Sequence, residues 1–388
     1  MLRICFVGIV IVLTAELYGQ DVSQEQVNNS ITINEFDPQP KLNVETTPLV
    51  AAKFPVIDVH THFRFKTKGS RETIEAYVRD VMDAQNIRLS VSLDATLGAE
   101  DEHFQLLGGE LADRFGVMVH IDFQGGAKDD DFANWACNQP NFVRMVVERL
   151  RFAKEHGCIG VKFFKQFGLG FRDSNGNLIQ IDDPRFDPIW EACGELSLPV
   201  LIHSADPVAF FDPIDHKNER AEELTRHPDW SFSGADFPTH DDLLAARNRV
   251  IERHPKTMFI GAHVANYPED LDEVSKWLNQ YPNFYVDISS RISELGRQPR
   301  RAKVFFEEHA DRILFGTDGP WPAERLTYYW RFLETNDEYF RYSEKHPLPQ
   351  GQWFIYGIEL EDSILRKVYF ENALKLFPAL NAKFEKSK

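Results

Sequence analysis

The sequence predicts an α/β chain folded as a (β/α)8 TIM-like barrel with long loops after strands five and eight. Three observations carry that expectation. From Phe54 onward, strand-length apolar runs alternate with amphipathic helical patterns, which is how parallel βαβ units read in a sequence. There are eight such runs, the number that closes a barrel. No glycine-rich dinucleotide loop follows the first run, and polar residues suited to chemistry stand at the ends of several different runs. An open doubly wound sheet would gather its ligand at one switch point instead.

In order, the strands are expected at residues 55–59, 89–93, 116–121, 159–164, 199–202, 258–260, 284–288 and 313–315. The helices between them are expected at 70–85, 141–155, 184–196, 241–254, 269–281 and 300–308, most with a charged face and an apolar one. A final helix is expected over 364–377.

Ahead of the barrel, Arg3 and the apolar stretch 4–13 have the form of a secretory signal, too short for a stable membrane span. The expected segments are a signal at 1–20, a polar mobile arm at 21–53 lying over the first strand, and a barrel domain at 54–380. That predicts an exported soluble protein, periplasmic or extracellular, with no stable membrane insertion after cleavage. An uncleaved anchor is the alternative. Cys5 lies in the leader, and Cys137, Cys158 and Cys193 lack metal-type spacing, so they read as small buried apolar residues. The 388 residues carry a formal charge of −17, which argues against nucleic acid or an anionic membrane surface as the main partner. A small-molecule substrate is expected instead, and a homo-oligomer stays open.

The chemistry starts at Asp58-Val59-His60-Thr61-His62, at the end of the first run. Residues i and i+2 of a strand share a face, so the two imidazoles stand side by side, a geometry that can hold a divalent metal. Two hydrogen-bonded histidines inside a barrel mouth would also explain the pair taken alone. However, strand five ends at His203, strand six at His263 and strand eight at Phe315-Gly316-Thr317-Asp318. In a barrel those ends meet at one mouth.

These motifs, with Gly160-Val161-Lys162, Gly319-Pro320 and the closing Tyr369-Phe370-Glu371-Asn372-Ala373, resemble the amidohydrolase superfamily. The likeness runs from Phe54 to Pro378. It points to the amidohydrolase-related branch that includes metal-dependent decarboxylases and sugar-acid lactonases. The resemblance implies a distorted barrel with one or two divalent ions, usually zinc; a single ion is the expectation and two stay open. It makes His60, His62, His203 and Asp318 the candidate ligands, converging about 2.0–2.2 Å from one point. His263 and Asp318 are the candidate catalytic groups. Lys162 has two readings: a carboxylated bridge between two ions, or a buried cation that anchors an anionic substrate or pairs with a carboxylate.

The loops after His203 and Asp318 hold the candidate substrate contacts Arg220, Trp321 and Arg325, and Arg291 joins them from just beyond strand seven. The arginines could grip a carboxylate or form ordinary ion pairs. The expected function is a metal-dependent hydrolase cleaving a small ester, lactone or amide bond with metal-activated water. Two alternatives stand beside it: a metal-dependent decarboxylase of a small unsaturated or aromatic acid, and a non-catalytic binding protein on the same barrel.

Overall fold

Eight parallel strands pair in sequence order in the computed structural model, which describes residues 32, 35 and 39–387. They are β1 (Val56–Thr61), β2 (Ile87–Thr96), β3 (Phe115–His120), β4 (Gly160–Phe163), β5 (Val200–Ile202), β6 (Phe259–Gly261), β7 (Phe284–Asp287) and β8 (Ile313–Leu314). Every expected run overlaps an observed strand, and β2 is longer than its run at both ends. Between β8 and β1 the barrel closes along a seam, with a parallel bridge from Thr61 to Gly319 in place of a continuous ladder. There the backbone N–H of Val59 donates to Phe315 O at 3.0 Å, and that of Asp318 donates to His60 O at 2.8 Å.

Two apolar layers sandwich the strands. Ile57, Val59, Leu201, Ile260 and Leu314 pack together along the barrel axis, and Leu376 and Leu380 of the C-terminal segment join the same cluster. The opposite strand faces pack on the surrounding helices, as where Val161 and Phe163 meet a cluster containing Leu150 and Trp190. Cys137, Cys158 and Cys193 are buried free thiols.

The expected helices form with shifted ends, and two of them are interrupted. The 70–85 pattern is an α-helix over Arg71–Tyr77 that continues as a π-turn over Val78–Met82. The final pattern breaks in the same way at Lys367–Glu371. The helix His240–Arg253 starts with a capping box, in which the Thr239 hydroxyl accepts from Asp242 N and the Asp242 carboxylate accepts from Thr239. Thr239→Ala should therefore cost about 1 kcal/mol of stability, read as a lower denaturant midpoint at an unchanged slope. An unchanged midpoint would show that the cap is dispensable.

The signal-like segment 1–20 lies outside the described residues. The segment 41–53 lacks helix and strand but is tied down. Thr47 donates through its backbone N–H and its hydroxyl to Asp337 at 2.9 and 2.6 Å, and Val50 O accepts from Gln85 Nε2 at 2.8 Å. The arm's polarity alone predicts mobility, whereas these long-range bonds hold its described end in place. No helix among the described residues is long and apolar enough to cross a membrane.

Candidate metal centre and active site

Strand alternation alone does not aim the histidines. Val59 packs inside the barrel, yet its neighbour His60 is fully buried against Lys162 of β4 and Asp287 of β7. The pairing of β1 with β2 slips between Asp58 and Thr61, so three residues of β1 advance against two of β2. A bulge of this kind re-aims side chains near active sites. Asp58 anchors the slip across the seam: its Oδ1 accepts from His60 N at 3.1 Å, and its Oδ2 accepts from the Thr317 hydroxyl at 2.5 Å. Burial raises its pKa to about 7 against the pull of those hydrogen bonds.

Each histidine of the pair is held from behind by a carboxylate. His60 Nδ1 lies 2.9 Å from Asp287 Oδ2, and His62 Nδ1 lies 2.6 Å from Asp94 Oδ1. The Nε2 atoms are thereby left as acceptors, since a neutral imidazole carries one N–H. His62 Nε2 stands 3.4 Å from Asp318 Oδ1. One nitrogen or oxygen each from His60, His62 and Asp318 falls within a 4.8 Å cluster, as does one each from His60, His263 and Asp287. Carboxylates that orient imidazoles are the usual support of a divalent-metal site, so the donor set fits such an ion.

Burial holds His60 well below the ordinary histidine pKa, and Lys162 adds to the effect. His263 is lowered in the same way. Neutral imidazoles are the ligating form. For Asp318, burial pushes the pKa up, but His60, Lys66 and His62 outweigh it and keep the carboxylate below its usual value. Lys66 also donates to the Asp318 carbonyl, and the Ser290 hydroxyl donates to Asp318 Oδ2 at 3.2 Å.

His203 sits in the same mouth, its ring 4.5 Å from that of His263, but it belongs to neither donor cluster. Its Nε2 lies 3.3 Å from Asp206 Oδ1, and Asp206 in turn pairs with Lys165. Of the four expected ligands, His60, His62 and Asp318 thus come together while His203 stays apart. Lys162 is buried, its Nζ 3.4 Å from His60 Nε2, and burial lowers its pKa to about 8.

His263 rides on a turn that no residue pattern announces. Residues His263, Val264, Ala265 and Asn266 all have φ between +56° and +58°, a left-handed conformation that is costly for a β-branched residue such as Val264. Four bonds hold it. Asp287 Oδ1 accepts from His263 N at 3.0 Å, Asn266 Oδ1 accepts from Ser204 N at 2.9 Å, the His240 ring bonds Asn266 O at 3.0 Å, and buried Arg247 donates to Ala265 O. His263 Nδ1 lies 2.8 Å from Ser289 O and must donate to it, which leaves Nε2 as an acceptor. Sequence reasoning missed Asp94, Asp287, Ser289 and Lys66. The strand-end rule that found His203 could have found Asp287, the last residue of β7.

A cavity of about 390 Å³ opens beside the centre, bordered by His203, His263 and Asp318. All four expected substrate contacts line it, but they are not equivalent. Arg220 is buried between Glu223 and Glu294, at 2.6 and 2.8 Å. Arg325 is clamped through two nitrogens by Glu344 at 2.6 and 3.0 Å. Trp321 donates its indole N–H to Thr317 O at 2.8 Å and presents its ring to Lys66. Arg220 and Arg325 are therefore internal ion pairs rather than open grips, and Arg291 is the arginine left over.

An uncharacterised TIM-barrel protein from Bordetella bronchiseptica shares the fold at 14% identity and a TM-score of 0.51, over 84% of this chain and 99% of that one. A dihydroxybenzoic acid decarboxylase from Polaromonas sp. JS666, solved with manganese and 2-nitroresorcinol, aligns at 18% identity and a TM-score of 0.49, over 85% and 99%. 4-Oxalomesaconate hydratase from Rhodopseudomonas palustris aligns at 13% and 0.46, over 85% and 98%. The profile of the amidohydrolase family matches residues 57–379, a span that holds the histidine-bearing strand ends and the Asp318 loop, and the chain belongs to that family.

Proposed function

We propose that the protein is an exported metal-dependent hydrolase of a small ester, lactone or amide. The observation that carries this reading is the pair of carboxylate-backed imidazoles, His60 on Asp287 and His62 on Asp94, facing the ionised Asp318 at the edge of the cavity. His60, His62 and Asp318 would hold one divalent ion, with zinc the proposed metal. When bound, such an ion polarises a carbonyl and lowers the pKa of water toward about 7.

The chain's own groups then have definite tasks. Asp318, ionised and fixed by Lys66 and Ser290, accepts a proton at a carboxylate oxygen. His263 starts as an acceptor at Nε2, because its Nδ1 proton is committed to Ser289 O. It can deliver a proton to a leaving group only after taking one up. Phe210, Trp230 and Tyr329 wall the cavity and orient an organic substrate.

A screen of esters, lactones, amides and aromatic carboxylates, with carbon dioxide detection in parallel, tests the reading. Hydrolysis that a chelator abolishes is the expected result. Carbon dioxide release without hydrolysis would transfer the site to the decarboxylase reading, which the unpaired Arg291 beside aromatic walls also favours. For the metal count, Lys162→Ala should retain one ion per chain by elemental analysis. Two ions in the parent protein, both lost in the variant, would establish a bridging lysine instead. Export is checked by whether secreted protein begins beyond residue 20.

A further inference from the structure

We infer that the substrate carries a carboxylate, and that Arg291 binds it at the β7 side of the cavity. This deepens the hydrolase reading and rests on it. The cavity is cationic in a chain whose formal charge is −17: Lys66, Lys165, Lys345, Arg220, Arg291 and Arg325 line it against Asp206, Glu223 and Asp318. Most of those cations are already answered. Arg220 has Glu223 and Glu294, Arg325 has Glu344, Lys165 has Asp206, and Lys66 lies 3.9 Å from Asp318. Lys345 is exposed to water.

Arg291 is different. It is only 6% exposed, and it makes no ion pair among the described residues. Its Nη1 donates to Ser290 O at 2.8 Å, while its Nε is buried with no acceptor. A guanidinium cannot escape this cost by losing its proton. Burying an unpaired charge is expensive, so its retention at a cavity wall calls for an anion supplied from outside. Arg291 lines the cavity, and the planar donors at the end of its guanidinium match the two oxygens of a carboxylate.

Arg291 acts on Glu223 and Glu269 through its charge, yet neither glutamate bonds it. Glu223 is committed to Arg220. Glu269 accepts from Val208 N at 3.3 Å and leaves its other oxygen buried without a partner. Arg291 follows Asp287 by four residues and lines the same cavity as His263 and Asp318. A bound carboxylate would therefore lie beside the reacting bond, fixing which end of the substrate faces the centre.

The test compares the metal-loaded protein with R291Q and R291K. Glutarate binding is followed by calorimetry, and hydrolysis is followed on mono-p-nitrophenyl glutarate and the neutral p-nitrophenyl pentanoate. Parent protein should bind glutarate at least ~10-fold more tightly than R291Q, about 1.4 kcal/mol, with metal content unchanged. Its preference in kcat/KM for the charged ester over the neutral one should collapse in R291Q and return in part in R291K. A purely structural arginine would slow both esters alike and would overturn the assignment. So would equal glutarate affinity in parent and R291Q, which would place the anion elsewhere. Glutarate binding that depends on Arg291, with neither ester cleaved, would support the carboxylate site and count against the hydrolase reading alone.

Discussion

His60→Ala should yield protein without its metal ion and with turnover at background, whereas His263→Ala should keep the ion and lose roughly 10²–10⁴-fold in turnover. The contrast follows from geometry. His60 is locked by Asp287 with Nε2 turned to the centre, so its removal deletes a donor. His263 is tethered to Ser289 O and borders the cavity, where an acceptor nitrogen can exchange protons with substrate. Elemental analysis and initial rates on both variants decide the matter. Equal metal loss would make His263 a ligand, as its place in a second donor cluster with His60 allows. Unchanged turnover in His263→Ala would remove it from the chemistry.

Asp287→Ala should destabilise the fold by about 2–6 kcal/mol, about 1–3 kcal/mol for each of two buried backbone donors left without an acceptor. The side chain is fully buried. Its Oδ2 serves His60, and its Oδ1 accepts from His263 N and Ser289 N, each at 3.0 Å, and from the Ser289 hydroxyl at 2.5 Å. Deleting it strands two backbone donors that solvent cannot reach, and it releases the left-handed turn that carries His263. A weaker metal affinity, by about 10–100-fold, should accompany the loss because an imidazole loses its orienting carboxylate. Denaturant unfolding and competition with a chelator measure the two effects separately. A variant as stable as the parent, with unchanged metal affinity, would show that the hub is dispensable.

The amino-acid sequence is most legible where structure is local. Apolar runs and helical periodicity locate all eight strands, because burial on both faces of a parallel sheet demands continuous apolar stretches. The strand-end rule brings His60, His62, His203, His263 and Asp318 to one mouth, because parallel strands of a barrel point the same way. It cannot say which ring nitrogen faces a metal, since that depends on what binds the other nitrogen. For His203 the partner is Asp206, three residues away, and its side chain leaves the donor cluster.

Period, parity and strand ends are properties of the chain read letter by letter, and they suffice for the family and the barrel and for nominating residues for the chemistry. How those residues are held and charged depends on the folded arrangement. Asp94 and Asp287 act on His62 and His60 across 32 and 227 residues of chain. A slip of pairing, not alternation, turns His60 inward. Arg220, Arg291 and Arg325 look alike as letters, and their surroundings separate them: two meet carboxylates inside the protein, while the third is left facing the cavity. The physical reason is that desolvation and pairing belong to positions in space, and chain neighbours do not specify which distant groups will share a buried site.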